Sequence, residues 1–246
     1  NKSLSAADLI ATVSPGKMDK ISRRIGPERM NDLVYVPNGV DDSYAGIKED
    51  ESIVDLYFKN DSRATCVYVG NIGVAQGLSN LLELARMRPQ VRFLLFGAGA
   101  EKESLMERAA REKLTNVQFC GKIGAGAVWT VLKHASMAYV PLVNSNLKDS
   151  IPSKLYESLA CGCPVLLVAA GDSVKLLEET GLGDHALPEN LDDIVSSFDA
   201  LIVRSFSTEE KEAVSRYMFE HHSRQSAAKQ FADALIARYE TADDDE

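Results

Sequence analysis

No apolar run in this chain approaches the roughly 18 residues that a bilayer-spanning helix needs, and no secretory pattern is visible. Positive charge is also in short supply. Against 36 Asp and Glu there are 27 Lys and Arg, a net charge of −9, which argues against nucleic acid as the main partner. The four cysteines do not form a metal pattern: Cys161-Gly-Cys163 lacks paired ligand spacing and no histidine is near it in sequence. Cys66 and Cys120 lie in apolar, strand-like runs and read as reduced, buried thiols. No Ser/His/Asp or Cys/His arrangement stands out, so hydrolase chemistry has no evident carrier. The fingerprint of a dinucleotide fold is missing too. Gly70-x-x-Gly73-x-x-x-Gly77 is not G-x-G-x-x-G, Gly97-x-Gly99 lacks a third glycine, and neither is a Walker loop. The lone Trp129 and the pair His221-His222 read as packing or solvated residues. What remains is a metal-free, cytoplasmic reading.

What the chain has is a repeated pattern. It is 246 residues long and 45% hydrophobic, enough for one large domain or two small ones. Residues 9–13 read as a short strand, and Ser14-Pro15 as the cap-and-proline start of a helix. Val34 to Asp41 reads as a strand entering a turn, and residues 42–63, polar and charged, as a linker or surface excursion. From Thr65 onward, strand, glycine turn and helix recur at least four times. Strands are expected at 66–69, 91–96, 117–119, 137–140 and 165–168, with a helix near 172–180 and mostly helical sequence to Tyr239. The acidic end, 241–246, reads as disordered. The repeat specifies an α/β class, a Rossmann-like, doubly wound parallel sheet. Ligands of such sheets bind outside the carboxyl ends of the strands, where Gly70–Gly77, Gly97–Gly99, Gly121 and Asp149–Glu157 all fall.

The organising stretch is Asp149 to Pro164, DSIPSKLYESLACGCP. It reads as a loop, a helix from about Ser150 to Ala160 with Pro152 in its first turn, a glycine stop and a buried strand. Unpartnered amides at a helix start attract an anion such as phosphate. Lys154 in that turn opposes the helix dipole, which makes better sense with an anion beside it. Glu157 follows three positions later, on the same face. The pair equally fits an ordinary i,i+3 contact on a solvated helix, and the glycine loops fit plain tight turns. Those alternatives stay open on the residues alone.

Taken together the motifs resemble the nucleotide-sugar-binding, C-terminal half of a GT-B glycosyltransferase of the large retaining family four. Asp149-x7-Glu157 fills the place of that family's Glu-x7-Glu, and Cys161-Gly162-Cys163-Pro164-Val165 its small-residue turn and strand. Val36-Pro37-Asn38-Gly39-Val40-Asp41 resembles its interdomain segment, Leu95 to Gly99 its second strand and turn, and Asn116 to Gly121 its base-contacting loop. The match covers most of the chain. Gly70-Asn71-Ile72-Gly73 with Ile151-Pro152-Ser153-Lys154 is similar to a bacterial subgroup building O-antigen, capsule and exopolysaccharide, some of whose members use UDP donors.

The resemblance implies a retaining hexosyltransferase with no cofactor, its donor substrate a UDP-sugar, with GDP-sugar as the other candidate. Asp149, Lys154 and Glu157 would be the catalytic set, Glu157 accepting hydrogen bonds from the ribose and Asp149 sitting by the donor sugar. Gly70, Asn71, Gly73, Gln76, Gly97, Gly99, Ser150 and Ser153 would surround the diphosphate, and the backbone from Val117 to Lys122 would read the base. Two departures stand out. The family's first loop carries an Arg and a Lys five apart, where this chain has Asn71 and Gln76, and Asp149 is one methylene short of Glu. Because the chain opens at Asn1 rather than methionine, it reads as a fragment, a processed form or an incompletely given sequence. Residues 1–40 would be the tail of an N-terminal acceptor domain and linker, and 41–240 the nucleotide-sugar domain. The acceptor, a glycan or lipid-linked sugar, would bind through the missing domain, placing the intact enzyme at the inner membrane when the acceptor is lipid-linked. A fragment of this kind would bind nucleotide and transfer little sugar. The competing expectation is a non-catalytic nucleotide-binding or scaffold module of the same fold.

Overall fold

The computed structural model describes residues 2–243. Helix α1 (Lys2–Ser5), strand β1 (Ile10–Thr12), helix α2 (Pro15–Ile25) and strand β2 (Leu33–Tyr35) come first. The main body then runs α3 (Glu51–Tyr57), β3 (Thr65–Val69), α4 (Ser79–Met87), β4 (Arg92–Phe96), α5 (Lys102–Arg111), β5 (Val117–Gly121) and α6 (Ala125–His134). It continues with β6 (Met137–Pro141), α7 (Ser153–Ala160), β7 (Val165–Val168), α8 (Asp172–Thr180) and β8 (Gly183–Ala186). Helices α9 (Leu191–Val203), α10 (Thr208–His221) and α11 (Arg224–Asp243) close the chain.

Six of the strands form one sheet in the order β5-β4-β3-β6-β7-β8, every neighbouring pair parallel. Parallel strands buried on both faces must be apolar at every position, and TCVYV, RFLLF and VLLV are nearly so. Their alternation sorts the core into two layers. Val67, Leu94, Val140 and Leu167 face the side covered by Leu155 and Leu159 of α7. Tyr68, Leu95, Tyr139 and Val168 face the side covered by Leu81 and Leu82 of α4 and Phe198 of α9. The strand order reverses direction between β3 and β6, so the crevice of this sheet opens beyond the carboxyl ends of those two strands. Strands β1 and β2 form a separate parallel pair with a small core of Ile10, Ile25 and Leu33.

Four expectations need correction. Residues 42–63 are no linker: Asp50 caps α3 by accepting from the Ser52 amide (3.0 Å), Ile53 is buried, and Tyr57 meets Phe96 edge-on at 5.1 Å. Strand β8 falls within the stretch read as mostly helical, because the edge strand GDHA carries too little apolar pattern to announce itself. Helix α11 runs through Asp243, past the predicted onset of disorder, since no Gly or Pro interrupts it; 244–246 lie outside the described residues. Cys120 is only partly buried, although all four cysteines are free thiols.

One polar residue holds a corner of this body together. The buried Asn116 side-chain amide donates to the carbonyls of Ala85 (2.9 Å), Arg88 (3.1 Å) and Val91 (3.0 Å), tying the end of α4 to the start of β4. Asn116→Ala removes the side-chain donor from the buried Ala85 and Val91 carbonyls, while Arg88 keeps its bond from the Val91 amide, and should lower stability by about 2–3 kcal/mol in a denaturant melt.

The far end of the chain returns to its beginning. Val40 accepts from the Arg224 amide and donates to the His222 carbonyl, both at 2.7 Å, and the Arg224 guanidinium reaches the Asn38 carbonyl at 3.0 Å. Among the described residues no helix is long and apolar enough to cross a membrane.

Candidate functional site

The loops that follow β3 and β4 lie against one another, backbone to backbone. Gly70 donates its amide to Phe96, Ile72 to Ala98 and Gly97 to Gly121, at 2.7–2.9 Å. The approach leaves no room for side chains. A Cβ at Gly97 would overlap the Gly70 carbonyl oxygen, and one at Gly99 the Ile72 carbonyl oxygen. Gly70 and Gly97 also hold φ of +141° and +149°, which favours glycine. Together with the start of α7 these loops bound a cleft of about 720 Å³, a size suited to a small molecule.

Helix α7 begins at Ser153 with Pro152 as its cap, so proline stands just outside the first turn rather than in it. No side chain caps this end, and Leu155 already bonds back to the Pro152 carbonyl (3.0 Å). Ser153 and Lys154 open the helix and both line the cleft. The Lys154 stem crosses Gly70, where any Cβ would collide with its Cε; its ammonium donates to Gln76 Oε1 at 3.1 Å and lies 5.5 Å from the centroid of the Tyr68 ring. Burial pushes the Lys154 pKa below its usual value, only partly offset by the charge of Glu157. Glu157, one turn further along α7, also lines the cleft. Desolvation pushes its carboxyl up, opposed by Arg224 and Lys154. Two opposite charges therefore share one cleft wall, each held there at some cost.

The predicted site residues divide. Gly70, Asn71, Gly97, Gly99, Lys122, Ser153, Lys154 and Glu157 come together around the cleft. Gln76 reaches the group through Lys154, and Gly73 packs on the Asn71 side chain. Three others do not join them. Val117 opens β5, at the end of the sheet opposite the cleft; over five residues a strand rises about 16 Å, so Lys122 arrives and Val117 cannot. The Ser150 amide is spent on the Leu147 carbonyl (2.9 Å). Asp149 pairs with Lys20 of α2, and its carbonyl accepts from Ser14 Oγ at 2.5 Å. The cause is α2 itself: its N-terminus, with the Gly16 amide on Asp172 Oδ2 (2.7 Å), draws carboxylates. Sequence reasoning missed Tyr44, Ile123 and Val128, an apolar stretch of cleft wall that no motif announces.

Residues 50–221 match the family model of glycosyl transferases group 1. The chain belongs to that family. Among its curated relatives, the putative colanic acid biosynthesis glycosyl transferase WcaI of Escherichia coli K12 is 27% identical over 228 residues, covering 87% of this chain and 54% of WcaI. The probable glycosyltransferase WbjE of Pseudomonas aeruginosa is 25% identical over 127 residues, 50% of this chain and 32% of that protein. The chain thus spans about half of one curated relative and a third of the other. Among solved structures, Anabaena HepE in complex with UDP-glucose superposes with a TM-score of 0.76 at 17% identity, over 94% of this chain and 64% of HepE. The sheet and its helices are the Rossmann-like α/β fold of GT-B glycosyltransferases.

Proposed function

We propose that this chain binds the donor of a retaining sugar transfer: a nucleotide-sugar, UDP-linked in preference to GDP-linked, whose sugar passes to a glycan or lipid-linked acceptor of a bacterial surface polysaccharide. The observation that carries the reading is Lys154 laid across a side-chain-free glycine wall with Glu157 one turn away on the same helix. The glycine loops admit a diphosphate close to backbone; Lys154 and the opening amides of α7 stabilise the negative charge that grows as it leaves. Glu157, acceptor-only when ionised, takes the ribose hydroxyls. Solved complexes of HepE with UDP and with UDP-glucose support the donor class, and the WcaI description supports the polysaccharide setting. Residues 1–40 are the end of an acceptor-side domain in this reading, with 41–240 as the donor side. Transfer then needs a further acceptor-binding part and takes place in the cytoplasm, at the inner membrane when the acceptor is lipid-linked.

A non-catalytic reading has its own observation: Asp149 is engaged with Lys20, and Asn71 and Gln76 are uncharged. The two separate on a full-length enzyme, which either transfers sugar or hydrolyses donor slowly, or does neither while binding UDP. Calorimetry with UDP, GDP and pyrophosphate tests the site itself. Saturable UDP binding below millimolar is expected, and its absence rejects the proposal.

Glu157→Gln should weaken UDP about tenfold and leave pyrophosphate unchanged, since one charge-assisted bond to a ribose hydroxyl is worth roughly 1.5 kcal/mol. The same variant should melt higher. Burial raises the Glu157 carboxyl above its ordinary 4.5, so the folded state binds its proton more tightly than the unfolded chain. That advantage is present at low pH and lost as pH rises through the folded value. At neutral pH the charge is a net cost, and removing it should raise the melting temperature.

A further inference from the structure

The cleft has a chemical polarity along its length. Lys154, Gly70 and Gly97 crowd together at one part of it, as their mutual contacts require. Tyr44, Ile123 and Val128 make an apolar wall elsewhere, Ile123 and Val128 standing on either side of the start of α6. Glu157 lines the same cleft, one turn along α7 from Lys154. A nucleoside diphosphate likewise carries its charge at one end and a flat ring at the other.

Tyr44 is held firmly. It closes a 3-10 turn over 42–44 in which the Asp41 carboxylate accepts from the Ser43 amide (2.9 Å) and the Tyr44 amide donates to the Asp41 carbonyl (3.0 Å). Its ring lies nearly parallel to Trp129, tilted 14° with centroids 5.7 Å apart. Trp129 is itself buried in α6, with Phe219 beyond it at 6.3 Å. The tyrosine therefore has an aromatic backing and takes part in the cleft lining.

We infer that Tyr44, backed by Trp129, is the platform on which the nucleobase stacks, and so the main source of nucleoside affinity at this site. The inference rests on the nucleotide-sugar reading and names a residue for it. Every base presents a π-face, so the platform supplies affinity without choosing the base, and that choice falls to polar groups elsewhere on the wall.

Titrating wild type, Tyr44→Ala and Tyr44→Phe with UDP and with pyrophosphate tests it. Tyr44→Ala should weaken UDP about ten- to a hundredfold, the usual range for one lost base–aromatic stack, with pyrophosphate changed less than twofold. Tyr44→Phe should bind UDP as wild type does. Because Trp129 is the only tryptophan in the chain, its emission reports on the stack: UDP should shift it in wild type and in Tyr44→Phe, and not in Tyr44→Ala saturated with UDP. Wild type that fails to bind UDP rejects the nucleotide reading and this inference with it. Wild type that binds UDP while Tyr44→Ala binds equally well overturns the platform alone. Parallel loss of UDP and pyrophosphate in Tyr44→Ala also overturns it, by assigning the residue to the fold.

Discussion

Lys154→Met should weaken UDP about ten- to a hundredfold while leaving uridine binding within twofold, because a hydrogen bond to a charged partner contributes about 1.5–3 kcal/mol. Among the described residues that line the cleft the other cation is Lys122, while positions 71 and 76 of the first glycine loop hold Asn and Gln. Lys154 bonds to Gln76 through a neutral oxygen, so its charge is solvated but not neutralised there. An incoming diphosphate would supply that neutralisation. The pH response follows. Burial lowers the Lys154 pKa below 10.5, so the free ammonium loses its proton at a lower pH than an exposed lysine would. UDP affinity should therefore decline on the alkaline side, and Lys154→Met should abolish that limb. The folded state holds this proton less tightly than the unfolded chain, so the charge costs stability at neutral pH, and that cost falls away as pH rises from the folded value to the unfolded one. Calorimetry across pH 7–10 with a parallel thermal melt measures both: weaker UDP and, without ligand, an unchanged or slightly higher melting temperature. Unaltered UDP affinity would remove Lys154 from the diphosphate site.

Taken with Glu157→Gln, this variant describes a site whose two charges both oppose folding mildly. The trade is the usual one for a binding cleft, where groups are kept ready for a ligand rather than satisfied by neighbours. It also fits the anion-and-hydroxyl role proposed for the pair: a lysine in the first turn of a helix makes poor local sense, and among the described residues it has no carboxylate partner in hydrogen-bond range.

The rest of the site was legible in proportion to how local its cause is. Glycine turns after apolar strands follow from backbone sterics, and Gly70, Gly97 and Gly99 lie where that reading put them. Strand β7 and helix α7 follow from residue patterning within their own lengths. Asp149 stands outside the cleft lining for a non-local reason. Its partner Lys20 is 129 residues away, and no pattern near Asp149 distinguishes a carboxylate facing a sugar from one bridging to α2. Val117 stands away from the cleft because strand direction decides which end meets it, which the run 117–122 does not reveal in sequence. Tyr44 was invisible because a polar, charged segment such as 42–63 carries no periodicity, although its 3-10 turn and helix α3 pack it firmly against the core.

Gly97→Ala should be the most damaging single-methyl change in the chain, lowering stability by about 3–5 kcal/mol, the sum of backbone strain and overpacking. Its φ of +149° is one that L side chains rarely adopt, and its Cβ would enter the Gly70 carbonyl oxygen. Neither party can yield easily. Gly70 is fixed by its amide bond to Phe96 (2.9 Å) and Gly97 by its own to Gly121 (2.7 Å), so relief requires the ends of β3, β4 and β5 to separate. Gly126→Ala is the matched control. Gly126 lies within α6 at ordinary helical φ, and its added methyl would meet only Ile47 Cγ2 at 3.9 Å. There alanine should stabilise by about 0.5–1 kcal/mol through helix propensity. A thermal melt should accordingly drop by about 10 °C in Gly97→Ala and rise by about 2 °C in Gly126→Ala, at roughly 2–4 °C per kcal/mol for a domain of this size. If Gly97→Ala melts near wild type, the two loops do not touch as described, and the side-chain-free wall on which the diphosphate site depends is lost as an argument. If it melts low but still binds UDP at full affinity when folded, the loops hold the sheet together without shaping the cleft.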